Sequence, residues 1–156
     1  MTDKDFMARA IQLAEKGMEN GSGGPFGAVV VKDSKIVGEG YNNVISKNDP
    51  TAHAEILAIR EACRNLDSFQ LDDCAIYTSC EPCPMCMGAI YWARLQKVYY
   101  ACTQEDAAEI AFDDRHIYDE LEKEPGDRKI KFENLMRNEA LPLFKQWKNK
   151  PDKTPY

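Results

Sequence analysis

Two short strings hold the residues that could do chemistry, Thr51-Ala52-His53-Ala54-Glu55 and Cys80-Glu81-Pro82-Cys83-Pro84-Met85-Cys86. His53, Cys83 and Cys86 offer one imidazole and two thiols, the donor set of a catalytic zinc with three protein ligands and a fourth position left for water. Two thiolates and an imidazole also favour zinc over harder divalent ions. Each of the three falls at the expected start of a helix, where backbone N–H groups and the macrodipole favour thiolate over thiol. Glu55 follows His53 by two positions, about 200° round a helix, which makes it a neighbour of the metal rather than a ligand unless the helix starts late. A carboxylate beside a metal-activated water can take its proton and return it to a leaving group, which is hydrolytic chemistry. The rival arrangement is a closed Cys3His site that adds Cys80 and leaves no room for water. Against it, Pro82 is expected at the first position of a helix, with Cys80 in extended chain pointing elsewhere.

These strings need elements to bring them together. Asp3 to Glu19 has apolar residues at Phe6, Met7, Ala10, Ile11, Leu13, Ala14 and Met18, the spacing of one helical face, and stops at Asn20-Gly21-Ser22-Gly23-Gly24-Pro25. Ala28–Val31 and Lys35–Tyr41 flank the polar turn Lys32-Asp33-Ser34 and predict an antiparallel hairpin. A helix is expected from Ala52 to Asn65 with Thr51 as its N-cap. Cys74–Thr78, a helix from Pro82 to Ala93, and Lys97–Ala101 predict a parallel strand–helix–strand unit. Two helices side by side on one sheet face would let their N-termini converge on one metal. Beyond Cys102 the periodicity weakens. Short helical stretches are expected at Asp106–Ile110 and His116–Leu121, then a segment to Trp147 interrupted by Pro142, an appendage that needs another surface. The expectation is one domain over residues 1–156, with a core to about residue 102 and an appendage over 103–156.

His-x-Glu followed by Pro-Cys-x-x-Cys is the signature of zinc nucleobase deaminases, and the chain resembles the cytidine deaminase superfamily, in particular its bacterial guanine deaminases. The subfamily resemblance rests on Gly24-Pro25-Phe26-Gly27-Ala28-Val29, Asn42-Asn43-Val44, Asn48 to Glu55, Gly88 to Arg94, Phe112-Asp113-Asp114 and the terminal Tyr156. It implies an α/β fold, a three-layer α/β/α sandwich on a mixed five-stranded sheet, and one Zn2+ per subunit. It implies hydrolysis of guanine to xanthine and ammonia, with Glu55 and Asp114 catalytic and Phe26, Asn42, Ala54 and Tyr156 on the substrate. It also implies a homodimer whose C-terminal segments are exchanged, so that Asp114 and Tyr156 reach the partner's pocket. Read without the resemblance, Phe26 is equally a core aromatic, Asn42 a turn residue, Asp114 one acid among many and Tyr156 a frayed end.

Composition narrows the partners. The 156 residues carry a net charge of −6, with 44% apolar and 29% charged residues, the profile of a globular domain rather than a disordered or fibrous chain. Ten acids lie between Gln104 and Asp127, and eight Lys or Arg follow from Arg128 onward. The acidic block would repel a polynucleotide, which sets nucleic acid aside. The N-terminus lacks the pattern of a signal peptide and no apolar run is long enough for a bilayer, so a cytoplasmic protein without membrane partners is expected. In a reducing compartment six cysteines are thiols or ligands rather than three disulfides. A sibling deaminase acting on tRNA adenosine or cytosine is the competing enzyme, and a zinc-stabilised module without activity the competitor from another class.

Overall fold

The computed structural model describes all 156 residues. Helix α1 spans Asp3–Glu19, as its periodicity predicts, and starts on a capping box. The Thr2 hydroxyl accepts the Asp5 N–H while the Asp5 carboxylate accepts the Thr2 N–H. Strands β1 (Gly27–Lys32) and β2 (Lys35–Tyr41) form the expected hairpin. The two residues that turn it, Asp33 and Ser34, both have positive φ (49° and 60°), the local twist that suits a right-handed strand pair. A four-residue helix α2 (Val44–Lys47), not foreseen in the sequence, leads towards α3 (Ala54–Leu66). Strand β3 (Cys74–Cys80), helix α4 (Pro84–Trp92) and strand β4 (Lys97–Cys102) make the parallel strand–helix–strand unit.

The sheet order is β2-β1-β3-β4, antiparallel except for the β3–β4 pair. It has four strands, not five. After β4, a second capping box between Thr103 and Asp106 turns the chain into α5 (Gln104–Glu109), and no later segment forms a strand. Successive residues of β1 serve both faces, as a strand's two-residue period dictates. Ala28 and Val30 join Ala54, Ala58, Ala62, Ile76 and Ile90 beneath α3 and α4. Val29 and Val31 join Phe6, Leu13 and Tyr77 beneath α1. These are the three layers, with the sheet in the middle.

Two glycines set how closely α3 lies on the sheet. A Cβ on Gly38 would stand 2.3 Å from the Ala58 carbonyl oxygen, and one on Gly40 2.4 Å from that of Ala54. Any side chain there would lift the helix whose N-terminus carries His53 and Glu55.

The chain divides into two compact units, Met1–Asp114 and Arg115–Tyr156. The second comprises α6 (Arg115–Glu122), a 3-10 turn at Pro125–Asp127 and α7 (Arg137–Asn149). Glu120 organises its turn, with its carboxylate accepting from Lys123 Nζ and the Lys129 N–H and its carbonyl from Arg128 Nε. Pro142 lies inside α7 without interrupting it. The helix is exposed at this point, so the carbonyl that loses its N–H partner is not shut away from water, and the cost of the missing bond is reduced.

Candidate metal centre

The metal-binding trio forms where two helices begin. Asp49 binds both the N–H and the hydroxyl of Thr51, at 2.8 and 2.7 Å. Thr51 is therefore consumed in a turn and is not the cap of α3. His53 takes the N-cap position with extended backbone (φ −72°, ψ 155°) and no side-chain capping bond, which leaves its imidazole for other work. Cys83 has the same part at α4 (φ −68°, ψ 169°), and Pro84, rather than Pro82, begins that helix. Cys86 lies on the first turn of α4, buried.

Sγ of Cys83 and Sγ of Cys86 are each 3.5 Å from Nδ1 of His53, and all three donor atoms lie within 4.8 Å of one another. Tetrahedral zinc with sulfur at about 2.3 Å and nitrogen at about 2.0–2.1 Å requires sulfur–nitrogen separations of about 3.6 Å. The trio already has that geometry. Cys80 is outside it. Its sulfur lies 3.7 Å from the Thr103 carbonyl oxygen, and burial pushes its thiol up to about 12, so it stays protonated. The closed four-ligand arrangement is absent, and a tetrahedral zinc held by the trio would keep its fourth position for water.

Protonation of the trio suits metal uptake. Hydrogen bonding from the Cys86 thiol, helped by His53 and the Cys86 N–H, brings Cys83 down to about 4. The same shared proton, with burial, raises Cys86. The Cys83 sulfur in turn raises His53. One thiolate is thus formed in advance, and metal binding displaces protons from the two ligands that hold them more firmly, Cys86 and His53.

Because α3 starts at Ala54, the 200° separation expected between His53 and Glu55 does not apply: His53 is outside the helix and Glu55 is on its first turn. Glu55 is buried, and burial is the first cause holding its carboxyl above the usual range, with the Cys83 charge adding to it and a bond with Cys86 opposing it. A carboxyl in that state is poised to carry a proton rather than to ligate.

Beside the trio is a surface shaped by glycines. The Asn42 N–H donates to the Phe26 carbonyl at 2.9 Å, which joins those two residues at the open end of the β1–β2 hairpin. A Cβ on Gly23 would be 2.0 Å from Asn42 Oδ1, and one on Gly24 2.8 Å from the rings of both Phe26 and Phe112. Buried Asn42 accepts the Val44 N–H at Oδ1 at 3.1 Å, which orients the amide and leaves its NH2 as a donor. Phe26 is half-buried and meets the edge of Phe112 with ring centroids 5.0 Å apart at 89°. Asp114 is half-buried, and burial first, then the charges of Cys83, Asp113 and Glu81, raise its carboxyl. Asp114 thus stands within electrostatic reach of Cys83 of its own chain, where the resemblance had it reaching a partner. Tyr156 lies at the end of the second unit, largely exposed.

Phe112 and Glu81 stand in the quoted motif strings but were given no role there. The Glu81 carboxylate accepts the Gln104 N–H at 3.0 Å, while its own N–H donates to the Cys102 carbonyl, so the cysteine string is tied to the start of α5. The sequence signal for each was membership of a motif string.

Residues 1–102 match the family described as the cytidine and deoxycytidylate deaminase zinc-binding region. Over all 156 residues, the chain is 54% identical to the guanine deaminase of Bacillus subtilis, with both chains fully covered. The crystal structure of that protein superposes with a TM-score of 0.97, covering 100% of this chain and 99% of the other. The tRNA-specific adenosine deaminase of Buchnera aphidicola is 40% identical over 95% of each chain. The structure of a guanine deaminase from Nitrosomonas europaea is 30% identical, with a TM-score of 0.68 over 72% of this chain and 65% of that one.

Proposed function

Since the chain belongs to the cytidine and deoxycytidylate deaminase family, we propose that it removes the amino group of guanine by hydrolysis, giving xanthine and ammonia in purine catabolism or salvage. The observation that carries the reaction is the buried Glu55 carboxyl beside a trio of metal donors that Cys80 does not join. Likeness to the Bacillus subtilis guanine deaminase over the whole length, at a TM-score of 0.97, supports the choice of base. A tRNA:A34 deaminase structure aligns with 64% of the chain at 0.62. The acidic run from Glu105 to Asp127 works against a polynucleotide substrate as well.

His53, Cys83 and Cys86 would hold one zinc ion, which when bound supplies a Lewis acid able to activate water at neutral pH. Glu55 carries the protons: its carboxylate takes one from the attacking water and passes it to ring nitrogen N3 as the oxygen adds to C2, then takes the second from the new hydroxyl and delivers it to the amine as the C–N bond breaks. The Asn42 amide NH2 meets the acceptors N7 and O6 of the base. Phe26 offers a ring face to the purine, held by Phe112, and the Ala54 N–H, without a partner inside its helix, adds a donor at the helix start. Asp114, raised and half-buried, accepts from N1–H and the amino group and relays a proton towards ammonia. The Asn42 donor and the Asp114 acceptor separate guanine from bases of the opposite polarity.

The second unit supports a homodimer. None of its residues is buried, and Ile117, Leu121, Ile130, Phe132, Leu135, Leu143, Phe144 and Trp147 are exposed, more apolar surface than a monomer ordinarily leaves open. In this reading the two C-terminal segments are exchanged and Tyr156 completes the partner's pocket. All six cysteines are free thiols, which fits the reducing cytoplasm, and no helix is long and apolar enough to cross a membrane.

Ammonia release by the zinc-loaded protein from guanine, adenine, cytosine, cytidine, guanosine and tRNA, with a chelator control, tests the proposal. Turnover confined to guanine and lost with the metal is expected. Turnover on another substrate would keep the machinery and discard the roles of Asn42, Asp114 and Tyr156.

A further inference from the structure

A groove of about 370 Å3 runs along β2, the edge strand of the sheet, and none of the residues assigned above to metal or base lines it. Arg9, Leu13 and Lys16 of α1 flank it on one side and Leu57, Arg60, Glu61 and Arg64 of α3 on the other, with Asn43 and Lys47 beyond the end of the strand. Three of the hydrogen-bonding groups along the edge are taken by side chains. The Val37 carbonyl accepts from Asn65 Nδ2, the Glu39 N–H donates to the Glu61 carboxylate, and the Tyr41 carbonyl accepts from Asn43 Nδ2. Side chains bonded at Val37, Glu39 and Tyr41 interrupt the register that an added strand would need.

Charge in the groove is one-sided. Five basic and two acidic side chains line it, a surplus of three positive charges on a chain whose net charge is −6. Both carboxylates are engaged. Glu39 holds Arg9 through two bonds of 2.7 and 2.8 Å, and Glu61 caps the strand. Asp49, close enough to Lys47 and Arg60 to feel their charges, is bonded by Thr51. Lys16, over the Tyr41 ring at 5.5 Å, is left with Lys47, Arg60 and Arg64, four cations from three elements facing one concavity.

We propose that this groove is a second binding site, for a nucleoside polyphosphate. Its volume lies in the range of small-molecule sites, about 300–1,000 Å3. Arg60 and Arg64, one turn apart on α3, present guanidinium forks to phosphate oxygens, while Lys47 and Lys16 supply point charges from the other elements. The Tyr41 ring and the Leu57 side chain, both partly exposed, give a nucleoside apolar contact. The site is independent of the reading of the metal centre.

Equilibrium dialysis of GTP against the zinc-loaded full-length protein, in magnesium-free buffer of low ionic strength, tests it. Saturable binding of about one GTP per chain is expected, weakened about tenfold or more by Arg60→Glu with Arg64→Glu and, separately, by Lys47→Gln. These residues are exposed, and unchanged circular dichroism melts would exclude unfolding. Lys145→Glu with Lys148→Glu on α7 should leave binding intact. Tripolyphosphate should displace GTP and guanosine should not. The proposal is overturned by absence of saturable binding, by an equal loss in the α7 variant, by survival of binding in both groove variants, by displacement with guanosine, or by inorganic polyphosphate or RNA binding where GTP does not.

Discussion

In β1 the four residues Ala28, Val29, Val30 and Val31 are all buried, between layers of helix on both faces. Between Arg115 and Tyr156 none is, although α6 and α7 carry Ile117, Leu121, Leu143, Phe144 and Trp147. The first unit closes its core within one chain, and the metal trio is built where that core fixes two helix starts. The second unit has helices and turns satisfied by local hydrogen bonds, with apolar faces left open. Helical content and a packed core are therefore separate achievements: the first needs only neighbours three or four residues away, the second needs a facing surface.

The sharpest way to break that comparison is through the first unit's chemistry. Glu55→Gln should lower turnover by about a hundred- to ten-thousand-fold while the zinc content stays at one per chain. Retained turnover would remove the acid–base role. In stability, Ile76→Ala beneath α3 and α4 should cost about 2–5 kcal/mol in a denaturant titration. Leu135→Ala, in the second unit, should cost less than about 0.5 kcal/mol at protein concentrations where the chain is monomeric. A large effect at Leu135 under those conditions would show that the second unit has a core after all.

Deleting Pro151 to Tyr156 should cut kcat/KM by about tenfold or more with metal content unchanged, because a group that positions the base is lost. Mixing that deletion with Glu55→Gln should restore about a quarter of the wild-type activity, since half of the dimers are mixed and each of these has one intact site. Glu55→Gln mixed with Asp114→Ala should restore none, because Asp114 stands near Cys83 of its own chain. Recovery in the second mixture would assign Asp114 to the partner.

The smallest effect is expected at the sheet edge. Arg9→Ala should cost about 0.2–1 kcal/mol, since both partners are partly exposed. The Arg9 bond holds the Glu39 carboxyl below its ordinary value of 4.5. The pair's contribution is therefore complete above about pH 4.5 and is lost as the pH falls through the lowered Glu39 value. Melting curves at pH 7 should separate the variant from the parent, and curves at the acid end should converge.

Much of the fold was legible because its signals are local. The span of α1, the hairpin and the strand–helix–strand unit follow from periods of 3.6 and 2 and from turn residues, and the zinc trio from residue type and spacing. Helix starts were read less well. Thr51 and Pro82 have the chemistry of a cap and a first residue, yet Asp49 captures Thr51, and the helices begin at Ala54 and Pro84. Helix α2 has only four residues, too few for a period to register. The fifth strand was expected from the resemblance alone, and after β4 the chain caps a helix instead.

The sequence by itself determined which donors were available and that one sheet would carry them, because donor chemistry and alternation are properties of single residues and their near neighbours. Only the tertiary structure decided that His53 and Cys83, thirty residues apart, meet at 3.5 Å with Cys80 turned away. It also decided that Glu55 is buried, which raises its carboxyl, and that Asp114 feels Cys83. Those outcomes depend on long-range approach and on exclusion of water, and both come from packing α3 and α4 on one face of the sheet. No spacing within either string encodes them.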